Sequence, residues 1–165
     1  MYLMPVADVL AYCLMPNHFH FLLRFKSQQA CLRAGTDLAG FENLQGLQAK
    51  PKQLNPSQQL SNMLNAYAKA FNKKYHRKGS LFMRNSGRVK VEDNQYLLKL
   101  IHYIHCNPKE AGLVEFLEDW KYSSYKTIVS NKNTLVRRKE VIELFDDVEN
   151  FKYVHKLSPP NLAGF

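Results

Sequence analysis

Two short apolar runs near the beginning of the chain, separated by a three-residue turn, constrain its fold most strongly. The runs cover Val6–Leu14 and His18–Phe25 and are rich in aliphatic and aromatic residues. Met15-Pro16-Asn17 between them is typical of a turn, because proline fixes φ and asparagine tolerates turn conformations. The pattern predicts two strands, joined as a β-hairpin or as a closely linked pair.

A helix is predicted after residues 26–55, a long segment that lacks clear periodicity and indicates an insertion or a loop. Asn55 provides an N-cap, Pro56 takes the first helical position, and Gln58 takes the third. Apolar and aromatic residues then recur at helical spacing until Gly79, which is predicted to stop the run.

The second half of the chain adds strand and helix signals. Ser80–Val91 predicts short strands around Asn85-Ser86-Gly87. A second helix is predicted from Glu92-Asp93 to Asn107-Pro108, and a third covers about residues 137–146. The order strand, strand, helix, strand, helix is typical of an α+β domain with an antiparallel sheet.

Positive charge is concentrated in one segment. The 165 residues carry a formal net charge of +9, and residues 43–91 hold ten basic residues and no acidic residue. Such a footprint indicates a polyanion, usually nucleic acid, although a solvated basic helix face is the alternative. Aromatic residues are interleaved with the charges: Tyr67, Phe71, Tyr75 and Phe82. The candidate DNA contacts are Lys69, Lys73, Lys74, Arg77, Lys78, Arg84, Arg88 and Lys90.

Cysteine content and hydropathy favour a reducing cytoplasm. Cys13, Cys31 and Cys106 are odd in number and lie far apart in the sequence, which supports neither a disulfide framework nor a cysteine zinc site. The first fifteen residues lack a basic n-region, and no apolar run approaches the ~18 residues needed to cross a bilayer. We therefore expect a cytoplasmic protein without a membrane partner.

His18-Phe19-His20 is a candidate metal-binding motif. If the segment is a strand, both imidazoles project to one side and Phe19 projects to the other. Two neutral imidazoles side by side make half of a divalent-metal site. The alternative is a pair of surface histidines without a ligand role.

The second helix presents a candidate nucleophile. Tyr103 and Asn107 are four residues apart, which places them one turn from each other on the flank of the apolar stripe. They offer a phenol and a third, oxygen-donating ligand for the histidine pair. The alternative is a tyrosine at the core edge and an asparagine that stops the helix. His102 and His105 face away from Tyr103, which disfavours a general acid or base role for His105.

These motifs resemble the single-tyrosine HUH transposases. The resemblance rests on Met15-Pro16-Asn17-His18-Phe19-His20, on Tyr103-Ile104-His105-Cys106-Asn107-Pro108, and on Ala111-Gly112-Leu113-Val114. Trp120-Lys121-Tyr122-Ser123-Ser124-Tyr125 is similar to a segment that follows the tyrosine helix in related proteins. More specifically, the motifs are similar to those of the insertion-sequence-200-like group and its relatives, the REP-associated tyrosine transposases.

The resemblance implies a ferredoxin-like sandwich, with an antiparallel sheet and helices on one face, that cuts and rejoins single-stranded DNA. It implies Tyr103 as the nucleophile and His18, His20 and Asn107 as the ligands of Mg²⁺ or Mn²⁺. Cleavage would pass through a covalent 5′-phosphotyrosine. Family members begin with another strand and helix before the residues matching Val6–Leu14, so the resemblance implies a missing first strand.

The resemblance also implies domains and partners. We expect a catalytic domain at residues 1–128, containing the long loop, and a helical extension at residues 129–165. Single-stranded or hairpin DNA is the expected partner, with the protein on the nucleoid when DNA is bound. Some relatives build the active site from one chain and others from two. A homodimer is therefore one of the two expected arrangements.

Three functions follow from these observations. The leading hypothesis is a metal-dependent tyrosine nickase and strand transferase acting in DNA transposition. The second is a catalytically inactive nucleic-acid-binding remnant of such a transposase, which would bind DNA in a salt-sensitive way without cleaving it. The third is a small-molecule metallohydrolase built on the histidine pair, against which the basic segment argues.

Overall fold

The computed structural model describes residues 2–31, 54–83, 87–160 and 162. The chain divides into two compact units, one of residues 1–8 and 25–86 and the other of residues 9–24 and 87–165.

Strands and helices together give the α+β class, as predicted, and no helix in the described ranges is long and apolar enough to cross a membrane. The elements are β1 (Ala7–Leu14), β2 (Phe19–Phe25), α1 (Pro56–Lys74), α2 (Asn94–Glu110), a 3₁₀ turn (Leu117–Asp119), α3 (Tyr125–Val129), α4 (Arg138–Leu144) and α5 (Val148–Lys156).

The predicted hairpin is confirmed. β1 and β2 pair in an antiparallel two-stranded sheet, and the Met15 N–H donates to the His18 carbonyl across 2.8 Å at the turn. The other edge of β1 is covered by two single bridges, a parallel one from Val9 to Val136 and an antiparallel one from Cys13 to Ser123. β1 therefore lies between β2 and the segments that lead into α3 and α4.

Helix α1 lies in the first unit and begins as predicted. The Asn55 side chain accepts a hydrogen bond from the Gln58 N–H at 3.2 Å, and Pro56 opens the helix. The helix ends at Lys74, before Gly79, because the chain already turns at His76, where φ is 52°. All nineteen residues of α1 are described, and none of them is buried.

The strands predicted within Ser80–Val91 are wrong for the described part of that segment. Residues 80–83 and 87–91 have no strand, and Asn85 and Ser86 lie outside the described residues. Val89 is 56% exposed, whereas Val91 is partly buried against the core, so the two valines do not form one buried face. An alternating pattern favours a strand only where one face can pack against a core.

Helix α2 begins as predicted and supplies much of the core of the second unit. The Asp93 carboxylate accepts hydrogen bonds at 3.0 Å from the N–H groups of Gln95 and Tyr96. The apolar stripe of α2 packs with β1, β2 and the later helices. The buried members of this core are Leu10, Ala11, Cys13, Leu22, Leu100, Ile101, Ile104, Cys106, Leu117, Tyr125, Ile128, Val136, Val141, Phe145 and Phe151.

The predicted end of α2 at Asn107-Pro108 is wrong, because the helix continues to Glu110. A proline in a helix removes one backbone hydrogen bond, but the buried Pro108 ring lies in the last turn, where little helix follows it. Gly112, with φ of 67°, then provides the left-handed residue that ends the helix, and the Leu113 N–H donates to the Pro108 carbonyl at 2.9 Å.

Candidate active site

The hairpin turn places His18 and His20 side by side. Their ring centroids lie 5.0 Å apart at an interplanar angle of 86°. His18 directly precedes β2 and is exposed, whereas His20 lies within β2 and is partly buried. The predicted pairing of the two imidazoles on one side of the strand is therefore what the geometry shows.

The Asn17 side chain orients the His18 ring. Nδ1 of His18 lies 2.7 Å from Oδ1 of Asn17, an oxygen that only accepts hydrogen bonds. Nδ1 must therefore carry the proton, which leaves Nε2 of a neutral ring with its lone pair available. Metal-ligating histidines are commonly fixed in this way through their second nitrogen.

Helix α2 brings Tyr103 to the histidine pair. The ring centroids of His20 and Tyr103 lie 5.7 Å apart at 76°, an edge contact between two residues more than eighty positions apart in sequence. Asn107, one turn later, donates from Nδ2 to the Tyr103 carbonyl at 2.8 Å. All four residues belong to the second unit of one chain.

His20 is neutral at neutral pH. Burial lowers its pKa, the neighbouring His18 lowers it further, and the Asn107 side chain near the ring acts in the opposite direction. Its Nε2 atom is buried and, by distance and angle, makes no hydrogen bond to any described residue. A buried nitrogen without a partner is costly in a folded protein unless something else binds it.

The donor set fits a divalent cation. Nε2 of His18 and Nε2 of His20 are two nitrogen donors, and Oδ1 of Asn107 is an oxygen donor because Nδ2 of the same amide is engaged at Tyr103. Among the residues that the structure describes, no group of three His, Cys, Asp or Glu residues forms a metal-binding cluster. A cation here would thus depend on the amide as its third protein ligand.

The other two histidines of α2 belong to a separate buried cluster. His105 is 1% exposed and His102 is 5% exposed, and both pack against His155 of α5 with ring centroids 5.0 Å apart. Burial lowers the pKa of His102, of His105 and of His155, the last to about 3. Both ring nitrogens of His105 are hydrogen-bonded away from Tyr103, so His105 is not placed as its acid or base.

Sequence reasoning did not find His155 or the buried Ser124 as partners of the tyrosine helix. Oγ of Ser124 lies 2.7 Å from Nε2 of His105. Ser123 and Ser124 belong to the segment Trp120–Tyr125, which resembles the single-tyrosine HUH transposases. That resemblance was the only sequence signal for a role of Ser124. His155 lies fifty residues from His105, and no local pattern links the two.

The candidate DNA contacts fall into two groups. Lys69, Lys73, Lys74, Arg77 and Lys78 lie on α1 and the turn after it, in the first unit, and all five are exposed. Arg88 and Lys90 are exposed in the irregular segment before α2, where Lys90 pairs with Glu92 at 2.5 Å. Arg84 lies outside the described residues.

Aromatic rings line α1 beside these cations. The Phe71 and Tyr75 rings lie 4.5 Å apart, and the Tyr67 ring lies 6.1 Å from Phe71 and 6.0 Å from Phe82. Tyr67 is 56% exposed and Tyr75 is 54% exposed. Lys74 Nζ lies 5.3 Å from the Tyr75 ring centroid, so positive charge and aromatic surface occur together.

Comparison with known proteins found a transposase. The chain is 25% identical over 118 residues to the "Putative REP-associated tyrosine transposase" of Haemophilus influenzae. The match covers 72% of this chain and 58% of the relative, so the chain spans less than two thirds of that relative's length. No family model matches the chain, and no solved structure was found to match it. The similarity supports the transposase family and does not favour the inactive remnant.

Proposed function

We propose that the protein is a transposase-type enzyme that cuts single-stranded DNA and rejoins it through a covalent 5′-phosphotyrosine. The observation that carries the proposal is the contact between the Tyr103 and His20 rings, 5.7 Å between centroids. His18 lies beside this contact, and Asn107, one turn after Tyr103, belongs to the same unit, which supports a site built within one chain. The ferredoxin-like catalytic domain implied by the resemblance is part of this proposal.

In the proposed reaction, the phenolate oxygen of Tyr103 attacks the phosphorus of the scissile phosphodiester in line. The bond from phosphorus to the 3′ oxygen breaks, and that oxygen keeps the electron pair and takes up a proton to become a 3′-hydroxyl. The new phosphotyrosine retains the phosphodiester bond energy. A 3′-hydroxyl then loses its proton and attacks the phosphorus of the phosphotyrosine. The bond from phosphorus to the Tyr103 oxygen breaks, which restores a continuous strand and releases the Tyr103 phenolate.

His18, His20 and Asn107 would hold the Mg²⁺ or Mn²⁺ that the proposal requires. A bound divalent cation would polarise and align the scissile phosphate. His20 presents its lone pair without having to lose a proton first, because burial lowers its pKa. Asn17 fixes the His18 ring, and the bond from Asn107 to the Tyr103 carbonyl links the third ligand to the turn that carries the nucleophile.

A labelled single-stranded hairpin tests the reaction. The protein is incubated with the oligonucleotide and Mn²⁺, and the products are separated under denaturing conditions. A label at the 3′ end should move with the protein, whereas a label at the 5′ end should leave on a fragment with a free 3′-hydroxyl. Cleavage without any protein-bound label, or a protein bound to the 5′ label, would refute the proposed chemistry.

Replacement of His20 should weaken the binding of the cation. We expect His20→Ala to lower Mn²⁺ affinity by at least ~10-fold, since even partners that only orient a ligand are worth that much. Mn²⁺ binding is measured by calorimetry or electron paramagnetic resonance without DNA. His76→Ala, a change of an exposed histidine in the other unit, is the matched control and should leave the affinity unchanged. Equal Mn²⁺ affinity in both variants would remove His20 from the ligand set.

The exposed surface of α1 supports DNA binding in the same proposal. A helix without a buried residue, a row of cations and two half-exposed tyrosines match what single strands require. Cations hold the phosphates, and aromatic faces stack with unpaired bases. We propose that Lys69, Lys73, Lys74, Arg77 and Lys78 follow the strand backbone, with Tyr67 and Tyr75 available to bases.

Removal of one cation from α1 and one from the turn after it should reduce the salt dependence of DNA binding. For the double variant Lys73→Gln with Arg77→Gln, the slope of log K against log salt should fall in magnitude by about 1.4, since each single-strand phosphate contact contributes about 0.7. Fluorescence anisotropy with an oligonucleotide measures the slope. Lys132→Gln with Lys139→Gln removes the same charge from exposed sites outside the acid-free segment. Equal slopes for the two double variants would contradict contact at α1.

A further inference from the structure

A line of hydrogen bonds crosses the second unit from α5 to β1. It joins the Phe151 carbonyl to Nδ1 of His155 (2.7 Å), Nε2 of His155 to Nδ1 of His105 (2.9 Å), Nε2 of His105 to Oγ of Ser124 (2.7 Å), and this Oγ to the Tyr12 N–H (2.9 Å). Ser124 is fully buried, and His105 and His155 are 1% and 5% exposed.

The carbonyl at one end determines the position of every proton along the line. The Phe151 oxygen can only accept, so Nδ1 of His155 donates to it, and Nε2 of the neutral His155 ring accepts. Nδ1 of His105 therefore donates to His155, which leaves Nε2 of His105 to accept from the Ser124 hydroxyl at 2.7 Å. The Tyr12 carbonyl, at 3.2 Å from the same Oγ, is the more distant acceptor for that proton. Oγ of Ser124 then accepts from the Tyr12 N–H. Burial lowers the pKa of His155 to about 3, which agrees with a neutral ring at the carbonyl end of the line.

This line connects α2, which carries Tyr103 and Asn107, with β1 of the hairpin whose other strand carries His20. His105 is two residues after Tyr103 on α2 and, at 100° per residue, lies on roughly the opposite face of that helix. Tyr12 lies in β1, which pairs with the strand that carries His20. Ser124 reinforces the connection, because its own N–H donates to the Tyr12 carbonyl at 2.9 Å.

Apolar packing alone would hold α2 less specifically. The buried side chains that α2 and the hairpin contribute to the core are aliphatic or cysteine, and their contacts have no preferred direction. Hydrogen bonds through a buried imidazole are directional, and each buried partner is costly to leave unpaired. Hydrogen bonds at His105 restrain the rotation of α2 about its axis, and with it the direction in which Tyr103 points.

We infer that His105 and Ser124 are positioning residues that set Tyr103 against His20 through this hydrogen-bonded line. The expected effect on adduct formation rests on the proposed function. The expected effect on the placement of Tyr103 rests on the hydrogen-bond geometry alone. Displacement of a reacting group by about 1 Å can cost about 100-fold in rate. Loss of the Ser124 hydroxyl should therefore slow formation of the covalent adduct without changing DNA affinity.

The proton assignment is tested on the unaltered protein by nitrogen-15 NMR of the histidine rings. Neutral rings with the proton on Nδ1 are expected for both His105 and His155 at pH 7. A proton on Nε2 of His105, or a charged ring at either position, would overturn the inference. This measurement needs neither DNA nor cation and does not depend on any variant folding.

The positional effect is tested with Ser124→Ala, with Ser123→Ala as the matched control. Ser123 is also buried, but its hydroxyl accepts only from the Tyr125 N–H among the described residues and lies outside the line. The nuclear Overhauser effect between the rings of Tyr103 and His20 should be strong in the unaltered protein and in Ser123→Ala, and lost in Ser124→Ala. Its survival in Ser124→Ala would overturn the inference.

The kinetic consequence is measured in single-turnover reactions with the DNA hairpin. Ser124→Ala should form the adduct about 10- to 100-fold more slowly, with a DNA dissociation constant within about twofold of the parent. A parent rate in Ser124→Ala, or a loss confined to DNA affinity, would contradict the inference. If the parent protein formed no adduct, the proposed function would fail, while the ring contact would still decide the positioning role.

Discussion

Tyr103→Phe should abolish the covalent protein–DNA adduct. The substitution removes one oxygen, the atom proposed to attack phosphorus, and keeps the ring that contacts His20 at 5.7 Å. Because no other group replaces the nucleophile, we expect adduct formation to fall by at least about 10³-fold, as in enzymes that lose a covalent nucleophile. The yield is measured with 3′-labelled hairpin DNA and Mn²⁺ on a denaturing gel.

Tyr96→Phe provides the matched control for this prediction. Tyr96 lies on the same helix, is partly buried, and packs against the same core as Tyr103. It should keep the parental adduct yield, and both variants should retain DNA binding and thermal stability close to those of the parent. An equal yield from Tyr103→Phe would assign the attack to a different group and would remove the central residue of the proposed site.

The parts of the fold that the sequence predicted are those determined by neighbouring residues. The turn at Met15-Pro16-Asn17, the cap at Asn55 and the helix start at Glu92-Asp93 each depend on residues a few positions away. Backbone dihedral preferences and unpaired helix N–H groups act over this range. Local chemistry thus predicted the hairpin and the beginning of both long helices.

The predictions that were wrong depended on tertiary packing. Val89 and Val91 alternate as in a strand, but the first of them finds no core to cover it. Pro108 was expected to end α2, yet its buried ring is accommodated in the final turn. In both cases the local preference was real, and the surrounding packing determined the outcome.

In the candidate site, too, the sequence predicted the local features and not the contacts that depend on tertiary packing. The H-x-H spacing and the four-residue separation of Tyr103 and Asn107 were readable from the sequence, and each indicated one half of a site. Their convergence depends on how α2 packs against the hairpin, which the family resemblance implied and residue spacing did not. The His105–His155 contact spans fifty residues and had no signal in the sequence at all.

Acid should destabilise the second unit through His155. Its pKa in the folded protein is about 3, mainly because of burial, against about 6.5 in the unfolded chain. Between these pH values the unfolded chain binds the extra proton, so the stabilisation is complete above pH 6.5 and is lost as the pH falls. The free energy of unfolding should drop by about 1.4 kcal/mol per pH unit from this residue alone. Urea denaturation at pH values from 7 to 4 measures the slope.

The variant His155→Gln separates this effect from that of carboxylates, which also titrate at acid pH. Glutamine removes the titrating ring but can still donate to the Phe151 carbonyl. The slope of the unfolding free energy against pH should therefore decrease by up to about 1.4 kcal/mol per pH unit, which corresponds to one bound proton. His102 and His105 face His155 and are also neutral in the fold, since burial lowers both pKa values, so part of the slope should remain. Identical slopes for parent and variant would show that His155 is protonated in the folded protein. A charged His155 could not accept the hydrogen bond from His105, and the proton order from α5 to β1 would then be reversed or broken.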